Sequence, residues 1–404
     1  MRPDRNAQPS LRILVAHNVS RSRTGGMSRL MGFVHDQVAA AGHHVAYFCA
    51  EDMPLRLAPR WKRLLFPLYL YAHVRAAAAG GERYDIVNVH EPSSAAVVVG
   101  RRPLGQPVIV VTTHGVEQRG WELSLEEAKL GREGPKPRER LSHLLLSRWQ
   151  CAIGLRKADH IFCLNSEDRD YLNRRMHISR ERITRIQPGV DPIFGELSRG
   201  RDYAQTDRLL FAGTWRKNKG IEDIIPAFTE LARRNLAVSL TVLDAGTPVD
   251  SIRSTFDPDV RSRIDTASTI DETGTAGVYA RSDILIMPSL FEGTPLTLIE
   301  GMMSGLPVVT TATCGMKDVV QDEKDGLLIP IRSARAIVAA VERLQADGSL
   351  RERLGLAARQ KAAEHYSWRQ VAAPILEIYE RLAQEKFSHP SQSRAPQSNR
   401  SKQP

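Results

Sequence analysis

The chain is expected to fold as two doubly wound α/β domains in series, each a parallel sheet covered by helices, facing one another across a cleft. Short uninterrupted apolar runs alternate with helical periods, the pattern of strands buried on both faces. A strand, a glycine-containing turn and a helix open the chain, and the same unit starts again near residue 208. With 404 residues, 42% of them hydrophobic, there is material for two packed cores.

The first strand is Leu11 to Ala16, and Gly25-Gly26 supplies the turn after it. Met27 to Ala41 then reads as a helix, with Leu30, Met31, Val34 and Val38 on one face and Gly42 at its end. Strands follow at Val45 to Cys49, Asp85 to Val89, Val108 to Thr112 and His160 to Leu164. Pro, Gly and charged residues cluster between Pro188 and Tyr203, where the domains join. Arg208 to Gly213 repeats the opening unit and leads through Lys219-Gly220 to a helix, Ile221 to Arg234. Strands at Ser239 to Leu243, Asp283 to Met287 and Pro307 to Thr310 complete the second half. Ser367 is positioned to cap a last helix, Trp368 to Lys386, that Pro374 would kink. The expected organisation is therefore a flexible start (1–10), a first domain (11–190), a second domain (203–366), a helix packing back toward the first domain (367–387), and a disordered tail (388–404) rich in Ser, Gln, Pro and Arg.

Composition narrows the partners. Net charge is +10, with 29 Lys/Arg against 18 Asp/Glu in residues 1–190 and 27 against 28 in the rest. A basic half beside a neutral half fits contact with a phospholipid surface, a lipid-linked phosphate or an acidic glycan. It equally fits a plain basic surface that favours solubility. No nucleic-acid recognition motif accompanies the charge. The four cysteines, Cys49, Cys151, Cys163 and Cys314, have neither metal-ligand nor redox-motif spacing, which suits a reducing compartment. The first ten residues have no apolar core, and the longest apolar stretch, Leu64 to Val74, is broken by Pro67 and His73. A cytoplasmic protein is expected.

The chemistry concentrates in Phe291-Glu292-Gly293-Thr294-Pro295-Leu296-Thr297-Leu298-Ile299-Glu300. Strand Asp283 to Met287 ends just before it, and open α/β sheets bind ligands at such strand ends. Thr294 is the expected helix cap, Pro295 the first helical residue and Gly305 the stop. The first N–H groups, at Leu296 and Thr297, would then point at a ligand, and a helix start binds phosphate well. Glu300 lies about 7–8 Å along the axis from Pro295 and leans back toward the amino end. Two carboxylates so placed suit an elongated ligand with a diphosphate in its middle.

The stretch from Tyr279 to Pro330 resembles the donor-site region of the retaining glycosyltransferase family 4, which has the GT-B fold. The matching residues are Tyr279-Ala280-Arg281-Ser282-Asp283, Pro288-Ser289, Glu292-Gly293, Glu300, Gly305 to Val309 and Asp325 to Leu328; a weaker likeness extends from Leu11 to Tyr379. The resemblance implies that Glu292 contacts the donor sugar and Glu300 the ribose. It implies that Lys219, within Gly213-Thr214-Trp215-Arg216-Lys217-Asn218-Lys219-Gly220, contacts the diphosphate. Many members carry Arg directly after the first glycine; Thr214 stands there, and Arg216 is the candidate substitute. Gly25 and Gly26 match the turn where backbone approaches the donor phosphates. His114 matches a histidine facing the donor sugar, and His17 lies in an analogous place. Pro188 replaces the usual Asn in Gln187 to Asp191, leaving Gly189 to act through its backbone.

The expected function is thus a retaining, metal-independent glycosyltransferase that moves a sugar from a UDP- or GDP-sugar to a glycan or lipid-linked acceptor in surface polysaccharide or glycolipid synthesis. No cofactor is implied, since the nucleotide sugar is a substrate. The expected catalytic residues are Glu292, His114 and Lys219. A degenerate binder of the same architecture and a sugar-nucleotide epimerase are the alternatives. Arg56 to Arg75, which mixes Arg60, Lys62 and Arg63 with Trp61, Phe66, Tyr69 and Tyr71, is a candidate contact with an anionic membrane. The same segment also reads as a core-packed helix with a charged edge.

Overall fold

The computed structural model describes residues 10–19, 21, 26–54, 59–132, 134–235, 237–269 and 271–388. Gly25, the residues of Arg56 to Arg75 before Pro59, and all but the first residue of the expected tail lie outside the described residues.

Two six-stranded parallel sheets follow one another. The first holds β1 (Arg12–Ala16), β2 (His44–Phe48), β3 (Ile86–His90), β4 (Val108–Thr112), β5 (His160–Cys163) and β6 (Ile183–Arg185), in the order β2-β1-β3-β4-β5-β6. The second holds β7 (Arg208–Ala212), β8 (Ser239–Leu243), β9 (Ile264–Ala267), β10 (Ile284–Met287), β11 (Val308–Thr311) and β12 (Leu327–Ile329), in the order β12-β11-β10-β7-β8-β9. β3, β4, β5, β10 and β11 are buried along their whole length, which is why they read as continuous apolar runs. Both sheets reverse direction of growth once, between β1 and β3 and between β7 and β10. Such switch points open a crevice at the carboxyl ends of the flanking strands.

The expected strands appear within a residue or two of their predicted bounds. β6, β9 and β12 were not anticipated. They are three or four residues long and lie at or next to sheet edges, where a short apolar signal suffices. The helix Pro59–Ala79 runs through Pro67. Its Phe66, Leu70 and Val74 are buried in the first core, so this stretch is a core-packed helix.

The last helix, Trp368–Ser388, crosses back to the first domain. Val371, Ile375, Tyr379 and Leu382 join one apolar cluster with Val34 and Val38 of the helix Gly26–Ala40. Tyr379 is fully buried; its hydroxyl accepts from Asn88 Nδ2 at 2.7 Å and lies 3.3 Å from His35 Nε2. The Ser367 hydroxyl accepts from Gln370 N at 3.4 Å, as a cap should. The outgoing and returning strands of chain touch: Val190 N donates to Tyr366 O at 2.7 Å, and Val190 bridges Ser367. Among the described residues no helix is long and apolar enough to cross a membrane.

Candidate functional site

The loops after β7 and β10 flank the switch point of the second sheet, and they carry Lys219 and Glu292. After β7 the chain turns at Gly213 (φ +132°), passes through a short turn, Lys217–Lys219, and enters the helix Ile221–Arg234 at Gly220 (φ +78°). A Cβ at Gly220 would lie 2.0 Å from Pro288 O, so only glycine lets this loop lie against the β10 loop. Lys219 Nζ forms an ion pair with Glu292 Oε1, and Ser289 Oγ donates to the same oxygen at 3.2 Å.

The helix after β10 is Leu296–Met303, and its cap is Pro295 rather than Thr294. The Thr294 hydroxyl is directed elsewhere: it donates to Leu164 O, at the end of β5, at 2.6 Å. Leu296 puts its side chain into the first domain's apolar cluster, which leaves only its backbone for a ligand. The Thr297 hydroxyl donates to Met287 Sδ at 3.6 Å. Gly305 (φ +70°) ends the helix with paired bonds, Gly305 N to Met302 O at 2.9 Å and Leu306 N to Gly301 O at 3.0 Å.

Glu300 is 1% exposed and has two partners. Arg29 Nη1 lies 2.6 Å from Oε1, and the Tyr279 hydroxyl donates to Oε2 at 3.1 Å. Burial raises the Glu300 carboxyl above its ordinary range, and Arg29 pulls it back down. Arg29 also sits 3.4 Å from Glu272. It arrives from the other domain, one turn into the helix that Gly26 opens. Sequence reading missed it, although a signal was there: Arg29 is the lone cation in an apolar first turn, where the helix dipole disfavours positive charge. Arg216 is exposed and, among the described residues, belongs to no ion pair; the second cation that pairs with a glutamate here is Arg29.

The first domain presents a row of imidazoles at the carboxyl edge of β1, β3 and β4. His90 Nδ1 lies 2.6 Å from His114 Nε2 and the rings stack at 4.7 Å; His17 meets His90 edge-on at 6.0 Å. Burial lowers all three, His114 to about 3; His114 and His17 further disfavour charge on His90, and His17 disfavours it on His114. The three rings are neutral at pH 7. His17 is also bonded to Val19 O at 3.0 Å and lies 3.3 Å from Cys49 Sγ. Next to His90, burial pushes the Glu91 carboxyl up to about 8. Neither His90 nor Glu91 was anticipated.

The two edges interlock. A Cβ on Gly293 would lie 2.6 Å from His114 O, and one on Gly115 (φ +123°) would lie 2.9 Å from Phe291. Asn165, which caps the helix Ser166–Arg174, also donates to Glu292 O at 3.3 Å and Gly293 O at 3.2 Å. Arg119 lies 5.3 Å above the Phe291 ring. Asp318 of the second domain accepts from Ser166 N and Ser166 Oγ and pairs with Arg185 at 3.1 Å. Beside this seam lies a cleft of about 380 Å³ between Trp121, Ser124 and His143 on one side and Lys217, Leu290 and Phe291 on the other. The two glutamates, Lys219 and His114 therefore meet at one seam, although they come from both halves of the chain.

Comparison with known proteins agrees with this geometry. Residues 24–194 match the family model for Glycosyltransferase Family 4, and residues 206–347 match that for Glycosyl transferases group 1. A glycogen synthase of Mycobacterium tuberculosis is 25% identical over 246 residues, 60% of this chain and 58% of that protein, so the chain spans somewhat over half the length of this relative. The Escherichia coli UDP-Gal:alpha-D-GlcNAc-diphosphoundecaprenol alpha-1,3-galactosyltransferase is 23% identical over 280 residues, 66% of this chain and 67% of that protein. Sucrose-phosphate synthase from Thermosynechococcus elongatus shares the fold, with a TM-score of 0.75 at 20% identity over 93% of this chain and 100% of that one. With both halves matched and two Rossmann-like sheets closing on the paired glutamates, the chain belongs to glycosyltransferase family 4 and has the GT-B fold.

Proposed function

We propose that the protein transfers a sugar from a UDP- or GDP-sugar to an acceptor hydroxyl with retention of configuration, without a metal ion. The observation that carries this reading is the pair of carboxylate–cation contacts, Lys219–Glu292 and Arg29–Glu300, set by both domains at one seam. Glu300, held by Tyr279 and Arg29, accepts the ribose hydroxyls. Glu292 accepts hydroxyls of the donor sugar. Lys219 and the amino end of the helix Leu296–Met303 stabilise the charge that grows on the diphosphate as the anomeric C–O bond breaks. The new C–O bond forms on the same face, and the acceptor's proton passes to the departing phosphate oxygen. His114, neutral at pH 7, serves as a hydrogen-bond partner of the sugar and brings no charge of its own. Because Lys219 and Arg29 supply positive charge, turnover is expected to survive excess EDTA.

The cleft between Trp121 and Phe291 is the proposed acceptor site, since it opens beside Glu292 and offers an aromatic wall. A lipid-linked glycan of surface-polysaccharide or glycolipid synthesis is the proposed acceptor class. The related galactosyltransferase, whose name carries a diphosphoundecaprenol acceptor, and the basic first half support that choice. The test is a donor screen in which purified protein meets UDP- and GDP-sugars, with and without acceptors, and nucleotide release and product anomer are read. Glu292→Ala and Glu300→Ala should each lower kcat/KM by about 100-fold or more. Undiminished turnover in both variants would refute the site. Donor binding without turnover on any acceptor would favour a degenerate binder.

A further inference from the structure

The helices Pro137–Ser142 and Arg148–Lys157 are joined by a π-turn, His143–Ser147, into one rod. A π-turn inside a helix often marks a functional position. His143 points inward from it: the ring stacks on Trp121 at 4.0 Å and forms part of the cleft wall. Among the described residues the opposite face has no cover. Leu141, Leu144, Leu145 and Trp149, spaced three and four apart, are between 54% and 62% exposed. A single exposed leucine needs no explanation, but a stripe of three with a tryptophan does. Lys136, Arg138, Arg140 and Arg148 are exposed beside the stripe. Glu139, the sole acid from 136 to 150, accepts from Lys136 N at 2.8 Å and caps the rod.

We infer that this rod is a membrane-docking surface for an anionic bilayer. Leucines and a tryptophan enter the headgroup boundary, and flanking Lys and Arg meet anionic headgroups. Charge complementarity selects this occupant over a second copy of the chain, whose rod would bring the same four cations face to face. The element that touches lipid is also the element that walls the acceptor cleft, through His143. Docking therefore sets the mouth of the cleft at the bilayer, where a lipid-linked acceptor presents its sugar. The inference rests on the proposed acceptor class, but the docking itself is measured without acceptor or donor.

The experiment uses the full chain and sedimented vesicles of either phosphatidylcholine alone or phosphatidylcholine with phosphatidylglycerol. Binding is expected to the anionic vesicles only, falling as salt rises. Leu144→Glu with Leu145→Glu should reduce partitioning at least about tenfold, and Arg138→Glu with Arg140→Glu and Arg148→Glu should do the same. A blue shift of tryptophan emission on vesicle binding should shrink in Trp149→Phe. All these side chains are exposed, so circular dichroism and nucleotide release with a soluble acceptor should match the parent protein. Absence of binding, equal binding by the Leu144/Leu145 variant, or a concentration-dependent dimer that this variant abolishes would each overturn the proposal. Vesicle binding by a protein that turns over no donor would sink the proposed reaction and leave the docking surface standing.

Discussion

Arg29 touches Glu300 from the far domain, and its charge is the counterweight to that carboxylate's burial. In Arg29→Met the carboxyl should rise further and hold its proton to higher pH than in the parent protein. Donor KM is then expected to climb about tenfold or more at pH 7 and to recover as pH rises, whereas a purely structural role would lower stability without that pH profile. The imidazoles of His17, His90 and His114 make stability, rather than donor binding, depend on pH. Their folded values are lowered, His114 to about 3, against about 6.5 in the unfolded chain. Between those values the unfolded state binds more protons, so their contribution is complete above pH 6.5 and is lost as pH falls toward 3. Glu91, raised to about 8, works the other way, and stability linked to it declines as pH rises from about 4.5 to 8. Comparing thermal melts of the parent and His114→Asn from pH 7 to 5 isolates the histidine part, and the variant should lose less Tm on acidification. At this scale Glu292, Glu300 and Lys219 were legible because each sits in a local pattern of its own. Arg29, His90 and Glu91 were not, because their partners lie on other elements and only strand order brings them together.

The carboxyl ends of neighbouring strands explain the site better than any one motif. Loops after β7 and β10 share a switch point, so Lys219 and Glu292 meet although they are far apart in sequence. That was readable in outline, since β7 and β10 are apolar runs ending in glycine and proline signals. The edges were harder: β6 and β12 are three-residue strands, too short for periodicity to register. Thr294 illustrates the limit at a helix start. A capping residue type was present, but its hydroxyl donates to Leu164 O of the other domain, and Pro295 stands at the cap. Gly189 was expected to matter through its backbone, and the reason is steric. A Cβ there would lie 2.6 Å from the Trp368 ring, where the last helix begins. Gly189→Ala should therefore cost about 1–3 kcal/mol in chemical denaturation, as overpacking does. Adding Trp368→Leu should return part of that loss, a coupling that two independent sites would lack.

The two domains close on a seam with little tolerance. Gly293 lies against His114 O and the Leu164 side chain, at 2.6 and 2.7 Å from where a Cβ would stand. Gly293→Ala is expected to hold the domains apart, lowering kcat/KM by about 100-fold through misplacement of the glutamates. Small-angle scattering should show a larger radius of gyration while the secondary structure is kept; an unchanged radius with full activity would contradict the closure. The two-domain plan was plain from the repeated opening unit, but the closed seam was not, because its bonds join residues far apart in sequence, such as Asn165 and Glu292, 127 positions apart. The returning helix Trp368–Ser388 has a consequence for the order of events during synthesis. Its Val371, Ile375 and Tyr379 fill a wall of the core begun by Ile13, Val34 and Val38, so the half of the protein made first is finished last. A nascent chain halted at Tyr366 would carry a completed second domain and a first domain with its apolar wall open to solvent. Protease sensitivity of such a chain should fall on residues 10–190 and disappear when a peptide spanning 367–388 is supplied. The unit of folding on the amino-terminal side is therefore a discontinuous one, and a graft or truncation that respects it must carry both ends of the chain together.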